Sequence, residues 1–391
     1  VTGWLALRRE AALGSWQTHG WPSQRLEAWR HTNLRTVRSL AGAAESTTNG
    51  GTASEAARWN LRDATSQDGV TVAPLTPAAE ADDPVAKQWL GNVANTDGAA
   101  DAVAARNLAG FAGGVLIHAA SGVVASDVIE LDFPADATAS EHVQRVLIVA
   151  ERNAELTVIH RFAGDGRYVR NVVAEVVVGD GARVRHVWLQ NDGKEAFHLA
   201  EIAVHQGRDS RFEGHVIQVG GALGRVGCTV HFDQKGASCQ LDGLYIGDGR
   251  QHLDSNLVVH HDQGHTSSEM LYKGVLDGGS EGVFRGNVLI KDGASKSVSE
   301  QLNRNLLLSD TASANTKPQL EIDNDDVRAA HGSTVGELDD AALFYLRSRG
   351  ISREDAQQLL TWGFVSEVVH RLPTKQLRAE VTELTGLAPD R

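Results

Sequence analysis

VVAEVVVGDGARVRHVWLQ, Val172 to Gln190, decides the fold. Two runs of strand length, rich in β-branched residues, are joined by Gly179-Asp180-Gly181. Valine suits a pleated, packed surface, and glycine with aspartate is turn chemistry. Similar units lie on both sides. VLIHAASGVV, RVLIVAE, LTVIHRF, LAEIAVHQG and FEGHVIQVG are further strand-like runs. Gly247-Asp248-Gly249, Gly278-Gly279 and Asp292-Gly293 are further turns. Between 140 and 310 no stretch carries the ten-residue helical pattern that a parallel crossover helix needs. A sandwich, a barrel or a solenoid of strands remains. The imperfect recurrence of strand–turn–strand units favours a β-helix-like solenoid over a large sandwich.

Outside this zone the period changes. Trp4, Leu5, Leu7, Leu13 and Trp16 lie among charges at helical spacing. In Trp21–Arg35, Ser23 is a candidate N-cap for a short amphipathic helix carrying Leu26 and Trp29. Ala43–Ala56 is small, polar and glycine-bearing, the composition of a flexible connector. Residues 57–100 support no assignment. Near the other end, Gln319–Ile322 reads as a strand, followed by an acidic loop, His331-Gly332 and then helices. Leu338–Arg349 is one, stopped by Gly350. Ser352 with Asp355 starts a second, Pro373 ends it, and Thr374 caps a third through Leu384. The expected division is 1–100, an N-terminal helical region with a connector; 101–325, a mainly β, β-helix core; and 326–391, a C-terminal helical region.

Composition excludes several functions. The net charge of −13 lacks the basic surplus of a general nucleic-acid binder. No apolar run reaches membrane-span length. Two cysteines among 391 residues make no disulfide framework and point to a reducing compartment, hence a soluble cytoplasmic protein. No nucleophile-elbow, P-loop or dinucleotide fingerprint occurs.

Metal chemistry has few candidates. HLDSNLVVHHDQGH holds His252, Asp254, His260, His261 and His265, which suit a metal by type. On a strand, however, His260 and His261 face opposite ways, so surface or turn histidines are the expectation. Cys228 and Cys239 are too few for a four-thiolate cluster and read as small buried hydrophobes. Glu321, Asp323, Asp325 and Asp326 are possible hard ligands, though they read better as a solvated loop face. His331 remains. A neutral imidazole can give a lone pair to iron or zinc, and Gly332 beside it permits close approach or positive φ. Local sequence leaves two readings of His331 open: a metal ligand, or a tie between a strand end and a helix start.

PQLEIDNDDVRAAHGSTVGELDDAALFYLRSRGI, Pro318 to Ile351, resembles the C-terminal signature of the SufB/SufD family, scaffold proteins of the Suf iron–sulfur cluster assembly system. RLEAWRHTNLR is similar to the N-terminal motif of the family's SufD branch. ARNLAGFAGGVLIH, the YVRN of Tyr168–Asn171, LDGLYIGDGRQHLD, YKGVLDGGSEGVFRGNVLI and NLLLSDTASANTKPQLEI follow in the family's order. The resemblance implies a right-handed parallel β-helix between helical regions, and a non-catalytic scaffold. It implies pairing with a SufB-like chain through the β-helices and a SufC-type ATPase bound by the C-terminal helices. ATP enters only through that ATPase, and sulfur only through the partner. It implies that His331 is an iron or iron–sulfur cluster ligand at the subunit interface, the cluster being transient and shared. Some members carry a cysteine two residues before this histidine, where this chain has Ala329. Phe344, Tyr345, Leu346, Arg347 and Arg349 combine aromatic and arginine side chains favoured at interfaces and are the candidate ATPase contacts.

Two other readings compete. A β-helix polysaccharide lyase or hydrolase is usually exported and carries paired carboxylates on one solenoid face, whereas the acids here lie mostly in turns. A homodimeric SufB-like scaffold is disfavoured by Ala329 and the scarcity of thiols, although a homodimer of the isolated chain stays possible.

Overall fold

The computed structural model describes residues 3–47, 59–62, 67–138 and 140–387. Its centre is a parallel β-solenoid of about eight turns. Successive strands alternate between two nine-stranded sheets, so each turn lays one strand in each. Sheet one stacks Arg183, Arg211, Ser238, Ser267, Val298 and Arg328 in register, each 27 to 31 residues beyond the last. Sheet two stacks Val169, Phe197, Leu223, His252, Glu281 and Ser313 in register, at steps of 26 to 32 residues. Antiparallel strands Asn60–Leu61 and Val70–Pro74 close the first turn. The glycine-aspartate turns do what the sequence asks of them. Gly181 has φ +68°, and a Cβ there would lie 2.2 Å from Asn153 Oδ1, a backbone and a space that favour glycine.

Between the sheets runs a continuous apolar core. Phe133, Phe162, Trp188, Phe212, Phe232 and Phe284 are all buried in it. Phe162 and Trp188 lie 4.2 Å apart between ring centroids. The outer sheet faces are also covered, so strands such as Val169–Val178 are buried at every residue and show no alternation. Burial on both faces is the general habit of parallel sheets.

Helices provide the cover. At the N-terminus are α1 (Trp4–His19), α2 (Arg35–Thr47), α3 (Leu75–Glu80), α4 (Pro84–Trp89) and α5 (Ala102–Gly110). Leu5, Leu75, Leu90, Leu108 and Phe111 from this region pack on Leu116, Leu147, Val149 and Val177 of sheet two. A buried ion pair joins Arg145 to Glu175 at 2.9 Å. Glu175 also accepts the backbone N–H groups of Gly91, Val93 and Ala94. At the C-terminus are α6 (Asp340–Ser348), α7 (Arg353–Arg371) and α8 (Lys375–Thr385). Helices α7 and α8 set Val365, Val368, Val369, Leu372, Leu377 and Val381 against Ile159, Val187, Leu189, Ile217, Leu244 and Leu271 of sheet one. Ser352 and Thr374 cap them, accepting the N–H of Asp355 and Leu377.

Three expectations change. The segment Trp21–Arg35 forms only a 3-10 turn, Glu27–Trp29, and Ser23 accepts a local N–H from Arg25 instead of capping a helix. Its side chains are committed to the solenoid, which overrides local propensity. The connector assigned to Ala43–Ala56 begins as the end of α2, which reaches Thr47; residues 48–56 lie outside the described residues. The acidic loop does not lead through His331 into a helix. It turns into one more solenoid strand, Arg328–Gly336, paired with Val298–Leu307.

Candidate functional site

The strands Ser313–Ile322 and Arg328–Gly336 are the last rungs of their sheets, and neither has a further neighbour on its outer edge among the described residues. Most of their residues are exposed or half-buried. Ile322 and Val335 leave 42% and 46% of their surface open. An unpaired strand edge is a template for pairing with another chain. Pro318 removes one N–H from this edge.

His331 sits at this open end. It pairs in register with Gln301, which stacks on Met270 and then Leu241. Met270 and Leu241 belong to the core between the sheets, so His331 is the exposed last rung of an inward-facing ladder. Ala329 ends the next ladder, above Ser299, Ser268 and Cys239. Gly332 faces the other way, where a Cβ would come within 3.2 Å of Leu302 Cδ1. Its φ is not positive, so of the two roles open to it, close approach and left-handed backbone, only close approach applies.

The interior changes character near this end. Aromatic rings give way to hydroxyls and amides. His261 bonds Thr266 and Ser268 at 2.8 and 2.9 Å, and Ser268 passes on to Ser299 at 2.8 Å. Asn303 and Asn305 bond one another and the hydroxyl of Tyr245. Sequence reading missed this ladder, although Ser299, Gln301, Asn303 and Asn305 share one parity along their strand.

The other metal candidates do not assemble. Among the described residues no group of three or more His, Cys, Asp or Glu side chains is placed to hold a metal ion. His260 faces outward and stacks on His231 at 4.1 Å, while His261 is buried. His252 bonds Glu281 and Thr32, and His265 lies in a turn at φ +60°. Cys228 and Cys239 are buried in the core, and burial pushes both thiols up. A protonated, enclosed thiol is a poor ligand. Glu321 accepts from Asn287, and Asp326 pairs with Lys296.

The C-terminal candidates form a separate surface. Helix α6 buries none of its residues. Phe344 is 74% and Tyr345 56% exposed, so neither belongs to a core, and Leu346 is only half-buried. Arg349 lies over the Tyr345 ring at 5.0 Å, and Arg347 and Arg349 are both exposed. Phe344, Arg347, Ile351 and Arg353 line an open groove where α6 meets α7.

Sequence reading also missed the role of residues 27–32. Trp29 lies under the Arg225 guanidinium at 4.0 Å, and Ala28 accepts from the same arginine. Thr32 donates to Asp254, and Glu27 pairs with Lys317. This strap thereby reaches the last strand of sheet two. Only the unusual density of Glu, Trp, Arg and Thr hinted at it.

Residues 133–364 match the family model for the SufBD core domain of SUF system FeS cluster assembly. An iron–sulfur cluster assembly SufBD family protein of Mycobacterium tuberculosis is 32% identical over 370 residues, covering 92% of this chain and 87% of that one. A SufBD family protein of Synechocystis is 32% identical over 249 residues, covering 61% of this chain but 55% of that protein. The iron–sulfur cluster assembly protein SufD of Escherichia coli is 30% identical over 274 residues, 70% of this chain and 62% of that one.

Proposed function

Since this chain belongs to the SufBD family of iron–sulfur cluster assembly scaffold proteins, we propose that it is the SufD-type subunit of a Suf complex and that His331 ligates iron of the cluster being built. The cluster is cargo here, assembled and passed on, so the chain itself performs no catalysis. The observation that carries this reading is the place of His331: an imidazole on the inward ladder of an open solenoid end, with no group of three or more metal-ligating side chains assembled among the described residues. One neutral nitrogen cannot hold a cluster. A second chain must bring thiolates or sulfide to it. Two unpaired strand edges flank the histidine, which suits a SufB-like chain docking β-helix to β-helix. The work belongs in the cytoplasm, where free thiols such as Cys228 and Cys239 persist.

The exposed aromatic and arginine groups of α6 are the proposed dock for a SufC-type ATPase. ATP then acts through that partner, and sulfur through the SufB-like chain. Helix α7 is pinned to sheet one by Arg371 to Asp242 at 3.0 Å and by Lys273 to the Phe364 carbonyl at 2.7 Å, and α8 by Arg161 Nε to Glu380 at 2.7 Å. Force applied at α6 would thus reach the solenoid.

The test is co-purification with a SufB-like chain and the ATPase, then iron and sulfide analysis. The wild-type complex should carry stoichiometric cluster after reconstitution. His331→Ala should retain the complex and lose the cluster. Normal iron and sulfide in that variant would refute the ligand role.

A further inference from the structure

The residue beneath His331 has a free acceptor. Gln301 pairs with His331 in register, and only 1% of its surface is exposed. Its Nε2 donates to Met270 Sδ at 3.4 Å. The thioether has no proton to give and can only accept, so the amide nitrogen suits this contact better than the oxygen. Gly286 of the opposite sheet makes the room: a Cβ there would stand 2.4 Å from Gln301 Nε2. The amide is therefore gripped between Met270 and the Gly286 backbone. Its oxygen, Oε1, is buried and has no hydrogen-bond partner among the described residues. A lone buried acceptor is destabilising, and such groups in native proteins call for an explanation. Met270 lies on the strand before Gln301 and His331 on the strand after it. With the amide nitrogen drawn back to Met270, the oxygen is left for the side of His331.

A neutral imidazole carries one N–H and one bare nitrogen. Metal takes the bare one, and ligating histidines generally give the other N–H to a carbonyl or carboxylate. We propose that Gln301 is the positioning residue for His331: when the exposed His331 ring turns over it, the Oε1 left unpartnered in the structure accepts the ring N–H and so keeps the opposite nitrogen bare for iron. This inference rests on the reading of His331 as a ligand, but its test does not.

The measurement is long-range 1H–15N correlation of the histidine rings in the full-length chain at pH 8, without metal. The spectrum of His331→Ala identifies the His331 signals. Wild type should show one dominant tautomer. Gln301→Leu should change the tautomer ratio at least about threefold, while Gln301→Glu, which keeps an acceptor in place, should preserve the wild-type tautomer. An unchanged ratio in Gln301→Leu, or loss of the tautomer in Gln301→Glu, overturns the proposal. If the leucine variant fails to fold, Gln301→Met, unbranched and of similar length, replaces it under the same criterion. In the reconstituted complex, Gln301→Leu should weaken iron binding about tenfold or more, the usual effect of losing such a partner. The two readings fail separately. A shifted tautomer with a normal cluster in His331→Ala refutes only the ligand role, and an unshifted tautomer with cluster loss refutes only the role of Gln301.

Discussion

The middle turns of the solenoid and its last turn are built from the same strands and opposite chemistry. In the middle, Val169–Val178 is buried at every position, and Phe162, Trp188 and Phe212 fill the interior. Even the charges are enclosed and paired. Burial alone would raise the Asp192 carboxyl, but Arg170, His198 and Tyr168 outweigh it and hold the group below the usual carboxylate range. At the end, Arg328–Gly336 is mostly exposed, its edge is unpaired, and the interior below it is amide and hydroxyl. The middle therefore specifies the fold. The end gives up burial and leaves polar groups available.

Breaking the middle should cost the most. Trp188→Ala removes a buried ring packed on Phe162 and donating to His198 at 3.3 Å. Urea unfolding should show a loss of about 3–5 kcal/mol. A result under 1 kcal/mol would mean the aromatic stack is not what holds the turns together.

Acid should act on the same region. Burial, and then neighbouring His215, push His186 down to about 3. Unfolded, its pKa returns to about 6.5. The unfolded chain then binds the extra proton, so stability is full above pH 6.5 and falls as pH drops towards 3. At pH 5 this histidine alone should account for roughly 2 kcal/mol. Urea midpoints at pH 7 and pH 5 should differ less in His186→Phe than in wild type. An equal slope in the two proteins would contradict the assignment.

The end should barely register in the same assay. Phe344→Ala and His331→Ala alter exposed positions, and the isolated chain should keep its stability within about 0.5 kcal/mol. Phe344→Ala should instead weaken retention of the ATPase in a pull-down. Unaltered retention would remove α6 as the dock.

Much of this contrast could be read from sequence. Repeated valine-rich runs and Gly-Asp turns pointed to a solenoid, and Ser352, Thr374 and Gly350 marked the C-terminal helices where they lie. What escaped was set by distant contacts. Trp21–Arg35 looked like a helix because Leu26 and Trp29 have helical spacing. The pull of Arg225 and Asp254, some 200 residues away, cannot be seen locally. Arg328–Gly336 escaped because its outer side is uncovered and no hydrophobic alternation marks it. His331 was legible as isolated, whereas its place above Gln301 depends on register, which only pairing fixes.

The strap that joins Glu27 to Lys317 has a consequence for how the chain is made. Each solenoid turn pairs with the one about thirty residues before it, so turns can add one by one as synthesis proceeds. The strap cannot settle so early. Thr32 waits for Asp254, and Glu27 for Lys317, across 222 and 290 residues. Closing so long a loop is slow and comes late. The 27–32 strap is made before the solenoid and locks after it, so the open end is tied down only once the last turns exist.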